Sequence, residues 1–455
     1  MTTWLIPVCE TLTELLDARR FDAARSLLVD LEPVDIATLI EELPPEQALP
    51  TYRLLPKTAA AETFSYLDSD TQESLLRLLT TREMADVMAG LYDDDAVDLL
   101  EELPAGVVKR LMRVVSSEER RTLNRLLRYP EDSAGSVLTT EFVDLKAEMT
   151  VAGALRYIRA CGPDKETIYT CYVTDGDRHL EGVVTVRDLL LAQEDDRIGD
   201  LMNRSVWSVG TTEYRETVAQ LFTRYDLIAL PVVDSEHRLV GIITVDDVID
   251  ILQEEVTEDI EKMAAIIPAD KPYLKTGVWT TYRTRIPWLL LLMISATFTG
   301  IIITSFESAL AASVALTAFI PMLMGTGGNS GSQSSVTLIR VLALDEIRLR
   351  DIGRVLWKEL RVAVLCGITL AAAVYLKLLI VDRWMLGTAV SNMEALVICL
   401  TLAVTVVCAK LLGCTLPLLA KRLGVDPAVM ASPFITTIVD VLSLLMLFGT
   451  ATLLL

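Results

Sequence analysis

The sequence predicts a multidomain chain: an α-superhelical N-terminal domain, a duplicated α/β pair, a long acidic connecting helix and an all-α membrane domain with five transmembrane helices. Three observations carry that prediction. First, the 455 residues are 52% hydrophobic yet carry a formal net charge of −21. The charge is segregated: residues 1–275 hold 28 Lys+Arg against 53 Asp+Glu, and residues 276–455 hold 13 against 9. Second, a Gly-h-h-Thr-x-x-Asp pattern (h, apolar) occurs twice, 59 residues apart. Third, the slightly basic part contains several apolar runs of bilayer length. An acidic soluble part of this kind attracts cations and does not suit nucleic-acid phosphates.

Residues 1–130 read as helix after helix, punctuated by caps and prolines. The segment "DIATLIEELP" (35–44) is echoed by "DAVDLLEELP" (95–104), an offset of 60 residues. Short helices repeating in this way suggest a small superhelix; an ordinary helical bundle is the alternative. The opening "MTTWLIPVCETLTELLDARR" lacks a basic n-region and a long apolar core, so no cleavable signal peptide is expected. The seven cysteines form no CxxC pair and four lie in the apolar half, which points to reduced thiols in a cytosol-facing protein.

Residues 131–252 change character. "TCYVTDGDRHLEGVVTVRDLL" (170–190) and "ALPVVDSEHRLVGIITVDDVI" (229–249) each run strand, turn, strand and helix start. Their motif residues are Gly182, Thr185 and Asp188, then Gly241, Thr244 and Asp247. Two copies in register resemble a pair of CBS domains. A hydroxyl and a carboxylate three residues apart beside a helix N-terminus can hold a ribose and phosphates. In the stretch 253–284 and just before it, Asp247, Asp250, Glu254, Glu258 and Glu261 recur every three or four residues, placing them on one helical face. Such like charges repel; the face is either solvated or bridged by divalent cations.

The membrane domain, 285–455, offers apolar segments near 286–306, 308–339, 362–380, 393–419 and 428–455. Basic residues cluster before the first span (Arg283, Arg285), between the second and third (Arg340 to Arg361) and between the fourth and fifth (Lys421, Arg422). This bias orients the N-terminal domains to the cytoplasm and the C-terminus outside, in a multi-pass protein of the inner (plasma) membrane. Two polar features stand out. The glycine-dense "PMLMGTGGNSGSQSS" (321–335) is expected to interrupt a regular helix as a pore-lining or re-entrant segment, or as a tight turn. Asp440 lies in the last span, where a carboxylate costs at least about 2.5–3.5 kcal/mol and calls for a wet cavity or a partner. Lys410 in the fourth span is one such partner; a passing cation is another. Ser432, Thr436 and Asp440 are spaced by four and share a face, an oxygen-lined stripe suited to a hard, hydrated divalent cation. In a two-fold dimer the two Asp440 carboxylates would ionise together only with a cation between them.

The order of helical domain, CBS pair, acidic helix and five spans resembles the MgtE family of magnesium channels over essentially the whole chain. The sharpest matches are "FESALAASVALTAFIPMLMGTGGNSGSQS" and "KRLGVDPAVMASPFITTIVDV". The resemblance implies a homodimer in which Asp440 recognises hydrated Mg²⁺ and Asp426 binds cations near the cytoplasmic mouth. It implies a plug carrying Glu255, Glu258 and Asp259, and Mg²⁺ sensors at Asp226, Asp247 and Asp250, with Asp94 and Asp98 in the N-terminal domain. It further implies ATP at Thr185, Asp188, Thr244 and Asp247. Two departures stand against the family pattern: Ser432 replaces an Asn, and Thr170 and Leu227 stand where ATP-binding members carry aromatics. The expected function is a Mg²⁺ channel closed by cytosolic Mg²⁺. A CBS-based nucleotide sensor controlling a partner, or a channel for Co²⁺ or Ca²⁺, are the rivals. An intramembrane enzyme lacks a catalytic constellation, since the only histidines are His179 and His237.

Overall fold

The computed structural model describes residues 4–269, 273–274, 276–306, 314–344, 346–385, 390–430 and 432–454. It divides into two compact units, Met1–Leu252 and Gln253–Leu455.

In the first unit, short helices α1 (Leu5–Asp17) to α10 (Ser117–Leu126) fill residues 5–126. Their boundaries follow from local chemistry. Pro33 opens α3 (Pro33–Glu42) at a position that needs no N–H. Capping boxes at Thr80/Glu83 and Ser116/Glu119 open α7 (Thr81–Met88) and α10. The echoed segments occupy equivalent places. They end α3 and α8 (Asp93–Glu102), burying Ile36, Leu39, Ile40 and Leu43 in one copy and Ala96, Leu99, Leu100 and Leu103 in the other.

Two three-stranded sheets follow, β1 (Val143–Leu145), β2 (Thr170–Thr174) and β3 (Leu180–Thr185), then β4 (Val209–Gly210), β5 (Ala229–Val233) and β6 (Leu239–Thr244). In each, the first pair is parallel and the second antiparallel, with an irregularity at the same register. The motif glycines permit close approach of a crossing segment. Gly241 flanks the backbone exchange between Thr139 and Ile242, 2.9 Å in both directions, and a Cβ there would meet Thr139 O at 2.5 Å. Gly182 plays the same part beside Met202 and Asn203. Short helices α11 (Val151–Cys161), α12 (Val186–Leu191), α13 (Ile198–Leu201) and α14 (Arg215–Tyr225) complete the pair. Helix α15 (Val245–Met263) then runs unbroken, as the acidic periodicity predicts.

In the second unit, α16 (Val278–Ser305), α17 (Ile320–Ala343), α18 (Ile352–Lys377), α19 (Asn392–Arg422) and α20 (Ser432–Leu454) form the membrane bundle. Among the described residues four helical stretches are long and apolar enough to cross a membrane: Val278–Ser305, Ile352–Asp382, Asn392–Arg422 and Pro427–Leu454. The segment expected as the second span falls on α17, which is not among these four. Its 24 residues give about 36 Å of length, although its glycines and serines dilute its hydropathy; Glu307 and the start of that span lie outside the described residues. Trp279 and Tyr282 stack at the start of α16, 5.2 Å between rings, with Arg283 over Trp279, a composition suited to a headgroup interface.

The glycine-dense segment departs from expectation. It is a continuous α-helix, neither re-entrant nor a turn. In an apolar medium a helix satisfies its own backbone groups, and small residues let neighbours approach closely, offsetting the glycine propensity loss. Gly327 faces Thr405 and Val439, Gly328 faces Thr436, and Gly331 faces Ile435. A Cβ on Gly413 would stand 2.2 Å from the Gly331 carbonyl oxygen.

Gly241→Ala is expected to destabilise the first unit by about 1–3 kcal/mol through overpacking. Gly106→Ala, which lies in the helix Ala105–Val114 and meets nothing within 4 Å, serves as the comparison in which no overpacking arises and the helix gains slightly. Thermal unfolding of the two variants measures the difference.

Candidate functional site

Asp440 sits on α20, half-buried, and among the described residues makes no hydrogen bond or ion pair. Thr436 lies one turn earlier on the same face, its hydroxyl donating to Pro433 O at 2.9 Å and its methyl set against Gly328. The side chain of Ser432 lies outside the described positions. Lys410, the alternative partner, is committed elsewhere. Only 5% exposed, it donates to Ser334 Oγ at 3.3 Å, and Ser334 in turn donates to Glu359 Oε2 at 2.9 Å. This relay joins α17, α18 and α19 and places an anion near the buried ammonium, as a charge inside a membrane bundle demands. Sequence spacing could not reveal it, because the three residues come from three helices.

A second set of carboxylates gathers in the first unit. The first turn of α8 supplies Asp93, Asp94 and Asp95, followed by Asp98; Glu141, Glu166, Asp246 and Asp247 complete the set. Burial comes first, and mutual repulsion adds to it. Together they push Asp95 and Asp247 up to about 6, Asp98 to about 7 and Glu166 to about 8. Asp94, 8% exposed, is held well above the carboxylate range by the same causes. Burial also raises Asp250. Among the described residues no Lys or Arg forms an ion pair with Asp94, Asp95, Asp98, Glu166 or Asp247. Three candidates from the sequence, Asp94, Asp98 and Asp247, are therefore brought together. Asp95 and Asp246 were visible as neighbours of those candidates, but Glu166 carries no motif and only the fold brings it in. Asp226 is not gathered with them. It is exposed, in the left-handed region (φ 51°) after α14, and no described contact joins it to Asp247 or Asp250.

The paired Thr and Asp residues of the two motifs serve the backbone. Thr185 Oγ1 donates to Asp188 Oδ2 at 2.6 Å within a capping box opening α12, and Thr244 donates to Asp247 at 2.6 Å. Beside Thr170, Tyr169 is 68% exposed and its carbonyl accepts from Val186 N, so an aromatic face does stand next to the first motif. On α15, Glu258 pairs with Lys262; Glu255 and Asp259 are half-buried on the same helix. Asp426 precedes a short turn of helix, its Oδ1 accepting from Ala428 N at 2.8 Å. A further group, Asp175, Asp177 and His179, has its ligand atoms within 4.8 Å of one another. Its own hydrogen bonds explain that convergence, since Asp175 accepts from the backbone N–H of Asp177 and of His179 and pairs with the His179 ring.

The raised carboxyls bind protons more tightly folded than unfolded, so their ionisation opposes folding. That penalty grows from about pH 4 to about pH 8 and is absent below that window. In EDTA, the thermal transition of the first unit in the full chain is expected to fall as pH rises from 5 to 8. Mg²⁺ should restore it at pH 8. A flat profile insensitive to Mg²⁺ would contradict a cation-seeking cluster.

The comparisons with known proteins agree with this layout. A divalent cation transporter family model, MgtE, matches residues 320–450, the MgtE intracellular N domain matches 31–132, and the CBS domain matches 134–195 and 198–254. The chain is 39% identical to the magnesium transporter MgtE of Thermus thermophilus over 98% of each chain. It is 33% identical to that of Bacillus subtilis, over 94% of this chain and 93% of the relative. Among solved structures, the cytosolic domain of the Mg²⁺ channel MgtE in complex with ATP aligns at a TM-score of 0.51 and 38% identity, covering 53% of this chain and 99% of that one. The soluble part of a magnesium transporter aligns at 0.52 and 33%, covering 54% and 97%. With buried acids in one unit, a carboxylate in the membrane bundle that pairs with no described residue, and this similarity end to end, the chain belongs to the MgtE family of magnesium transporters.

Proposed function

We propose that the protein is a homodimeric, five-span Mg²⁺ channel of the plasma membrane, with the N-terminal domains cytoplasmic and the C-terminus outside. Its permeation path passes Asp440, and cytosolic Mg²⁺ closes it. Family membership makes it a transporter and not an enzyme. The observation that carries the reading is Asp440 itself: a half-buried carboxylate in a span, partnered by no described side chain, while Lys410, the cation of the fourth span, donates to Ser334, which in turn donates to Glu359. A carboxylate so placed gains most from a mobile cation. Mg²⁺ keeps its waters, so Thr436, Ser432 and Asp440 act on the hydrated ion through hydrogen bonds, and Asp426 collects cations on the cytoplasmic side. Dimerisation supplies the second Asp440. The apolar window of α16 is 0% buried within one protomer, which leaves it for lipid or a second copy.

Closure follows from charge. Asp94, Asp98, Asp226, Asp247 and Asp250, with Glu255, Glu258 and Asp259 of α15, are the carboxylates that Mg²⁺ bridges when abundant. When Mg²⁺ is scarce they repel one another and release the helix. A second reading, ATP at the first motif, is favoured by exposed Tyr169, which offers a stacking face beside Thr185 and Asp188, and by the ATP complex of the similar cytosolic domain. At the second motif the Asp247 carboxyl is drawn into the acid cluster, which leaves Thr244 and Asp247 less suited to a nucleotide.

Reconstituted into liposomes, the protein is expected to carry Mg²⁺ and to be inhibited by Mg²⁺ on the cytoplasmic face; tight liposomes would favour a sensor without a pore. Comparing Co²⁺ and Ca²⁺ decides the cation. Asp440→Ala should reduce flux to background with expression retained, and normal flux would remove Asp440 from the path. Asp247→Asn together with Asp250→Asn should weaken inhibition by internal Mg²⁺. ATP binding, if it uses the exposed tyrosine, should weaken in Tyr169→Ala in a calorimetric titration.

A further inference from the structure

Two carboxylates from separate elements of the second unit converge on one ammonium. Lys262, in the last turn of α15, lies 2.6 Å from Glu258 Oε1 and 2.8 Å from Asp426 Oδ2. The three side chains are 24%, 30% and 37% exposed, so the cluster is partly sheltered from water. Its frame is fixed on both sides. The second oxygen of Asp426 accepts from Ala428 N at 2.8 Å. Met263, the residue after Lys262, packs against buried Ile339 and Ala428. The turn beyond the helix is tied back by Ile266 N donating to Glu261 O and Ala269 N donating to Glu261 Oε2. The two carboxylates also outweigh burial at Lys262 and hold its ammonium charged well beyond the physiological range.

We infer that Lys262 is a tethered cation competing with divalent ions for Glu258 and Asp426, latching the end of α15 to the membrane unit without metal. The inference rests on the proposed gating by cytosolic Mg²⁺ and adds a regulator to it. Two carboxylates sharing one ammonium form the kind of paired oxygen set that a divalent cation bridges. The lysine and the cation therefore exclude each other there. Two consequences follow, and they distinguish competition from a merely structural contact. Removing the ammonium takes away the metal-free latch, so the channel is more open when Mg²⁺ is absent. It also leaves the carboxylates to Mg²⁺ alone, so inhibition sets in at a lower concentration.

The test compares the full chain with Lys262→Gln, Lys262→Ala and Lys262→Arg in proteoliposomes, measuring flux against Mg²⁺ on the cytoplasmic face. For Gln and Ala, flux at nominally zero Mg²⁺ should rise about two- to fivefold, the change expected for a partly exposed ion pair. The inhibitory Mg²⁺ concentration should fall by a similar factor, and Arg should behave as the parent. Unchanged curves for either neutral variant, a shift in only one of the two quantities, or an Arg variant matching Gln would overturn the latch. A neutral variant that does not fold yields no curve, and the other then decides. A parent protein indifferent to cytoplasmic Mg²⁺ would instead overturn the gating reading itself.

Discussion

A carboxylate withdrawn from water without a cationic side chain is the constraint on which this protein is organised. Both units impose it. In the first, Asp94, Asp95, Asp98, Glu166 and Asp247 are packed close enough to raise one another's proton affinity. In the second, Asp440 stands in a span with no described partner. In the cluster desolvation penalises the charged form, and like charges add to the penalty. Such arrangements are poor for stability and good for responding to a small, multiply charged ion. In the function proposed above the same physics serves two ends: transient binding at Asp440, where an ion must leave again, and bridging at the cluster, where its presence or absence changes which contacts persist.

The membrane bundle shows how such a carboxylate is held in place. Helix α17 lies against α19 and α20 through Gly327, Gly328 and Gly331, and Gly413 meets the Gly331 backbone directly. Van der Waals contact between backbones replaces the hydrophobic drive that lipid cannot supply. The Lys410–Ser334–Glu359 relay ties α17 to α18 and α19 by charge-assisted hydrogen bonds. The packed face of α20, with Ile435, Thr436 and Val439 against these glycines, sets the rotation of the helix that carries Asp440. Position here comes from the smallest side chains in the unit.

Much of this was legible in the sequence. The 60-residue echo fell on equivalent helix ends, the doubled motif on equivalent strands, and the acidic periodicity on one continuous helix. These are local or periodic signals, and backbone geometry converts them directly. Two other kinds of information were not legible. Glycine density in residues 321–335 read as a broken helix because propensity scales describe water, whereas in a bundle the missing side chains are what allow contact. Glu166, the Lys410 relay and the Lys262–Asp426 pair all depend on residues distant in sequence. The Thr-x-x-Asp spacing has a local role that the sequence reading passes over: Thr185 and Asp188 form the capping box of α12, and Thr244 donates to Asp247 in the same way that Thr185 donates to Asp188.

The account stands or falls on whether the Asp440 position is wet and visited by cations. In a background with the seven native cysteines replaced by serine, Asp440→Cys can be exposed to a small water-soluble thiol reagent in proteoliposomes. The account predicts modification from the aqueous phase that Mg²⁺ slows and an equal ionic strength of Na⁺ does not. A thiol that resists the reagent, or reacts at the same rate with and without Mg²⁺, would contradict it.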